Sequence, residues 1–187
     1  MKTSKKAMMT TRTLAYCALL AAISIALARL LAIDPIPTLR ISFEKFPLFL
    51  AGFFFGPVAG GVVGFVADTA GILLFPKFPF NPLYCVPPIL YGVFGGLFRQ
   101  YILKKPNIFR LAVSYLPPVV LGSVLYLSVM FAITGGAFWA NFTANLISRS
   151  IQFAIVGPME VMIMYLLFRS RVFHRIGIWP AEKISTK

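Results

Sequence analysis

Asp68 stands at the end of a ladder, Gly56, Gly60, Gly64, Asp68, whose four-residue step puts all four positions on one face of a helix. Glycines on that face let a neighbouring backbone approach closely, and the carboxylate then points into protein rather than lipid. An ionisable group in such a place marks a functional position by default. A second polar series, Asn145, Arg149, Gln152 and Glu160, recurs at multiples of a helical turn, with Asn141 one turn above it. At the helical rise per residue, Asp68 lies about 15 Å from the Gly56-Pro57 turn, and Arg149 roughly 15 to 18 Å from the outer end of its helix. Both depths are near mid-membrane. There the two form either a structural ion pair between helices or the floor of an outward-opening ligand pocket, and the roles are compatible. Glu160 falls towards the other end, where it is expected to pair with a basic flank.

This pattern offers recognition rather than catalysis. The single histidine, His174, lies in a basic tail, no serine or cysteine has a base partner, and no phosphate-binding glycine loop is present. Cys17 and Cys85 lack pairing or metal-ligand spacing and read as small buried hydrophobes. No metal or cofactor is expected. An intramembrane enzyme resting on Asp68 and Glu160 is the weakest alternative.

Helices in a membrane must position these residues. Of 187 residues, 59% are hydrophobic and 12% charged, and the mean hydropathy is +0.84, outside the range of soluble domains. Several runs approach the roughly 20 apolar residues that cross a bilayer core, and the alternation of a membrane barrel is missing. The expected fold class is an all-α integral membrane protein with six transmembrane helices in a compact bundle. The helices are placed at residues 8–32, 43–55, 57–75, 86–103, 111–134 and 138–168 of a single domain, 1–187, with 169–187 as a basic tail. Pro117-Pro118 is expected to bend the first part of the fifth helix.

The net charge of +13 follows topology rather than nucleic-acid binding. Lys2, Lys5, Lys6 and Arg12, then Arg99, Lys104, Lys105 and Arg110, then Arg169, Arg171 and Arg175 flank apolar runs and fall on one face of a six-crossing chain. Both termini are therefore expected in the cytoplasm, in the plasma membrane, with no nucleic-acid partner. The apolar run from Leu14 to Ala32 is too long for a signal peptide and is taken as a retained helix.

Three outer segments then face the ligand side. Ile33 to Ser42, with two prolines, reads as an extended loop, and its Arg40 meets either lipid phosphate or an anionic substrate group. Pro76 to Tyr84 is stiff and aromatic, a candidate lid carrying Phe78, Phe80, Asn81 and Tyr84. Trp139 beyond Gly135-Gly136 is either an interfacial belt residue or, with Phe78, Phe80 and Tyr84, a stacking surface for a flat ligand. Ala18, Ala22 and Ala26 form a small-residue seam on the first helix, for packing inside the bundle or for docking a separate membrane subunit. A chain of this size carries no ATPase domain and shows no inverted repeat of the secondary-transporter type.

Leu39-Arg40-Ile41-Ser42-Phe43, Phe55-Gly56-Pro57, Gly64 to Asp68 with Gly71, Leu74-Phe75-Pro76, and Ala137-Phe138, Asn145 and Arg149 resemble the substrate-binding S components of energy-coupling factor (ECF) vitamin transporters. Among these the chain looks most like the folate-type component, over nearly its whole length. The run Phe78 to Tyr84 departs from the Phe-Pro-Gly-Phe-Thr-like run of that type. The resemblance implies a six-helix protein that binds a vitamin from outside under its outer loops. It would work with a transmembrane scaffold subunit and two cytoplasmic ATPases, docking through Ala18, Ala22 and Ala26. Arg40, Asp68, Phe78, Asn81, Tyr84, Trp139, Asn141, Asn145 and Arg149 are the expected ligand contacts. Pantothenate, riboflavin or hydroxymethylpyrimidine as the ligand, or a self-sufficient secondary transporter, are the alternatives.

Overall fold

The computed structural model describes residues 11–36, 39–76, 81–104 and 107–170, with the backbone alone at 33–36, 39, 40 and 104. Its elements are α1 (Thr11–Arg29), β1 (Ile33–Ile36), β2 (Leu39–Ile41), α2 (Lys45–Phe55), α3 (Pro57–Leu74), a 3-10 turn Pro82–Cys85, α4 (Val86–Leu97), α5 (Arg99–Lys104), α6 (Ile108–Thr134) and α7 (Phe138–Arg169). α1, α3, α6 and α7 are long and apolar enough to cross a membrane, whereas α2 and the Pro82–Leu97 helix are shorter apolar elements.

Helices α2, α3 and α4 pack backbone to backbone. A methyl group on Gly52 would lie 1.8 Å from the Gly92 carbonyl oxygen, one on Gly64 2.3 Å from the Pro88 carbonyl oxygen, and one on Gly96 2.2 Å from the Pro57 nitrogen. The ladder noted in the sequence is therefore half of a contact whose other half is Pro88, Gly92 and Gly96 on α4, while Gly95 lies against Phe49 of α2. Gly56, at φ +95°, makes the turn between α2 and α3, and Pro57 opens α3 at a position where its missing donor costs nothing. Phe49, Phe53 and Leu50 of α2 then fill the centre with Tyr91, Leu111, Tyr115 and Met164.

This close approach gives a graded prediction. Gly52→Ala forces backbone against backbone and is expected to abolish or nearly abolish folded yield in detergent, whereas Gly61→Ala meets only side-chain methyls, of Val93 at 3.1 Å and Ile89 at 3.6 Å, and should cost about 1–3 kcal/mol at most. Thermal unfolding and size-exclusion profiles of the two variants compare them directly.

The structure differs from the sequence reading at five local points. The segment 33–42 is a short antiparallel hairpin, Ile33 opposite Ile41 and Ile36 opposite Leu39; its extended backbone finds a partner in its own second half. The helix expected at 86–103 is interrupted at Phe98 and resumes as α5. The helix expected from Leu111 starts at Ile108. The prolines inside it produce a π-helical stretch, Val119–Tyr126, because Pro117 and Pro118 supply no N–H to the preceding turn and the ladder slips beyond them. Residues 82–85 of the expected lid form a 3-10 turn.

Candidate ligand site

The polar series on α7 faces inward, as its spacing requires: Gln152 and Glu160 are buried, and Asn145 and Arg149 are half-buried. Across from it, the start of α2, the middle of α4 and the π stretch of α6 close a cavity of about 10 Å³. Lys45, Tyr91, Ser123, Arg149, Gln152 and Glu160 are its polar lining. The space is water-sized, whereas pockets for small organic ligands run from roughly 300 Å³ upwards. Loading a larger molecule therefore requires the walls to part, and the π stretch is the wall with the least regular hydrogen bonding.

At the deep end, the Tyr115 hydroxyl donates to Glu160 Oε2 at 2.6 Å, and Tyr91 Oη lies 2.9 Å from Ser123 Oγ. The ammonium of Lys45 sits 5.7 Å from the centre of the Tyr91 ring, a cation–π distance. Lys45 is also the cation acting on the Glu160 carboxylate. Glu160, expected to pair with a basic flank near the helix end, is instead only 2% exposed in the core. Its partners come from α2 and α6, which a count of residues from the helix end does not reveal. Tyr115→Phe leaves a buried carboxylate oxygen short of its donor and is expected to cost about 1.5–3 kcal/mol, read as a lowered melting temperature.

At the other end, the Arg149 guanidinium lies 5.4 Å from the centre of the Phe131 ring, and Tyr84 packs on the same ring at 5.5 Å. The Tyr126 hydroxyl donates to the Leu83 carbonyl at 3.0 Å. Tyr84, Phe131 and Arg149 thus form one stack tying the 3-10 turn to α6 and α7. Asp68 belongs to a different neighbourhood, beside the Cys85 thiol, and Thr69 Oγ1 lies 4.0 Å from the same sulfur. α3 packs on α1, α2 and α4, whereas α7 packs on α6, α2 and β2.

The other expected contacts have local roles in this conformation. Asn81 caps the 3-10 turn by accepting from the Leu83 amide at 3.1 Å. Asn141 donates to the Gly135 carbonyl at 2.9 Å, and Asn145 donates to the Asn141 carbonyl at 2.8 Å. Trp139 is 76% exposed and meets Phe138 edge to face. Arg40 lies on β2, the strand against α7; Phe78 and Phe80 lie outside the described residues. Lys45, Tyr91, Tyr115, Ser123 and Phe131 escaped the sequence reading. Only Lys45 carried a signal, as a charge opening an apolar helix.

On α1, Cys17, Ala21 and Ser24 face the bundle, while Ala18 and Ala22 are exposed and Ala26 is half-buried. The alanine seam therefore lies on the outer side of the helix.

The chain as a whole is similar to known proteins. Residues 12–174 match the family model described as the substrate-specific component of ECF transporters. The chain is 27% identical over 156 residues to the folate transporter FolT of Clostridium novyi (strain NT), covering 80% of this chain and 84% of that one. A crystal structure of FolT bound with folic acid superposes with a TM-score of 0.74 at 31% identity, over 86% of this chain and 94% of the other. ThiT from Listeria monocytogenes shares the fold at a TM-score of 0.66 and 16% identity, over 85% and 94% of the two chains. An S component of a bacterial ECF transporter does so at 0.58 and 23%, over 88% and 97%. With the inward polar helix, the apolar spans and a family match over nearly its whole length, the chain belongs to the substrate-specific components of ECF transporters, a family of membrane transporters rather than enzymes.

Proposed function

We propose that this S component captures folate or a closely similar vitamin from outside the cell. The observation that carries the reading is the likeness to the folic-acid-bound FolT structure at 31% identity over 86% of the chain. Arg149 takes an anionic group of the ligand and Tyr84 covers it, both through their shared stack on Phe131. Arg40, on the strand beside α7, Asp68, Phe78, Asn81, Trp139, Asn141 and Asn145 complete the proposed contacts once the walls open. Six crossings of the plasma membrane, made by α1, α2, α3, α4, α6 and α7 in one domain, leave both termini in the cytoplasm. A transmembrane scaffold subunit docks on Ala18, Ala22 and Ala26, and two cytoplasmic ATPases supply the energy.

Titration of the purified protein with folate tests this directly. Saturable binding at micromolar concentration or below is expected, and mass spectrometry of the co-purifying small molecule should identify the same compound. A different vitamin in that spectrum would support the second reading, an S component for pantothenate, riboflavin or hydroxymethylpyrimidine. That reading rests on the Phe78 to Tyr84 run, which departs from the folate-type pattern.

A further inference from the structure

We infer that the corner where α5 meets the start of α6 is a binding surface for an anionic phospholipid, its phosphodiester held by Arg99 and Arg110 and its acyl chains lying against Phe109. The inference does not depend on which vitamin is bound. It takes from the proposed function only the side of the membrane, so the lipid belongs to the cytoplasmic leaflet.

Charge is the first observation. From Thr69 to Met159 the chain carries no Asp or Glu, yet Arg99, Lys104, Lys105 and Arg110 fall close together within that stretch. The helices that α5 packs on are α2, α4 and α6, and none of the three contains a carboxylate. Neither Arg99 nor Arg110 closes an ion pair with a described residue. Four cations at the end of a membrane span, with no counter-ion on the helices around them, complement an anionic lipid surface, where each cation is worth about fivefold in affinity.

Geometry is the second. Ile102 of α5 is fully buried, so this short helix is fixed to the core rather than carried on a loop. The Arg110 guanidinium lies 5.0 Å from the centre of the Tyr101 ring, and its Nη1 donates to the Tyr101 carbonyl at 3.3 Å. One N–H of the fork thus holds it in place, and the others remain for phosphate oxygens. Beside the cations, Phe109 is 69% exposed, and Ile108 and Tyr101 are also exposed. Cations next to an aromatic and apolar surface repeat the order of a membrane interface, phosphate outside and acyl chain within. A free phosphate, or an acidic segment of a soluble protein, would use the cations and leave Phe109 uncovered.

The test titrates the purified full chain, in neutral detergent, with phosphatidylglycerol and with phosphatidylcholine, and counts bound lipid by native mass spectrometry. Wild-type protein should prefer phosphatidylglycerol by about 25-fold or more, and the Arg99→Gln, Arg110→Gln double variant should lose at least about tenfold of that preference. Arg169→Gln, which removes an exposed cation at the end of α7, should keep it within about twofold. Because each preference is a ratio on one sample, a smaller folded fraction cancels. Inorganic phosphate in excess over lipid should leave phosphatidylglycerol bound. Displacement by phosphate would make the corner a plain anion site and overturn the proposal. So would equal binding of the two lipids by wild-type protein, or an undiminished preference in the double variant. If that variant also fails to assemble with a scaffold subunit, the corner is a protein contact instead. All of these outcomes leave the vitamin reading untouched, since no vitamin enters the measurement.

Discussion

Arg149→Ala is expected to weaken folate binding by about 100-fold or more, while Arg169→Ala leaves it within twofold. Arg149 is half-buried against the Phe131 ring and lines the cavity, so its charge acts where water is scarce. Truncating one partner of a buried charge pair costs about 2–5 kcal/mol, much of it from the anion left alone. Arg169 is exposed at the end of α7, about 30 Å along the helix from Arg149. The loss should be confined to ligands with an acidic tail. The amide of pteroic acid, which carries no carboxylate, should bind wild type and Arg149→Ala within fivefold of one another if Arg149 holds that tail. Calorimetric titration of each variant at matched folded yield makes the comparison.

Ala22→Trp is expected to abolish uptake by the full transporter, with at least a tenfold loss, while folate binding by the isolated subunit stays within twofold of wild type. The inward face of α1 is Cys17, Ala21 and Ser24, so the indole at position 22 projects outward beside Leu19 and Ile23, which are also exposed. In lipid a tryptophan there is tolerated. Against another helix it removes the close approach that small residues permit, and helix association in membranes depends on that approach. Ala18→Trp should behave alike. Loss of binding together with uptake would mean that the seam packs within this chain in a state other than the one seen here.

How far the sequence foretold these features depends on where each residue's partners lie. The ladder of Gly56, Gly60 and Gly64 correctly implied a close backbone approach, because a missing side chain is a property of the residue itself. Which helix approaches was hidden, since Pro88, Gly92 and Gly96 lie some thirty positions away on α4. The inward polar face of α7 was legible for the same local reason: polar groups at helical spacing have one low-energy direction in an apolar bundle. What each group then bonds was not. Asn141 and Asn145 turn back on nearby carbonyls, as short amides do when a local acceptor is within reach. Glu160 acquires Tyr115 and Lys45 only through tertiary packing.

The proline pair in α6 illustrates a partial success. Pro117-Pro118 signals a disturbed ladder, because two donors are missing, but whether the helix bends or slips into a wider π turn depends on what packs beside it. Here Val119 and Ser123 of that turn line the cavity, so the disturbance sits where the walls must open. The hairpin of β1 and β2 is similar. Prolines and alternating residues made an extended path legible, while its pairing, and its place against α7, emerge only in the fold.

The central claim is that this chain binds its vitamin but does not move it alone. The most direct measurement is folate accumulation in vesicles containing this chain by itself, under imposed proton and sodium gradients. The account predicts saturable binding of labelled folate, stoichiometric with the protein, and no concentrative uptake until a scaffold subunit and ATPases are added with ATP. Gradient-driven accumulation above the protein concentration, by the single chain, would contradict it.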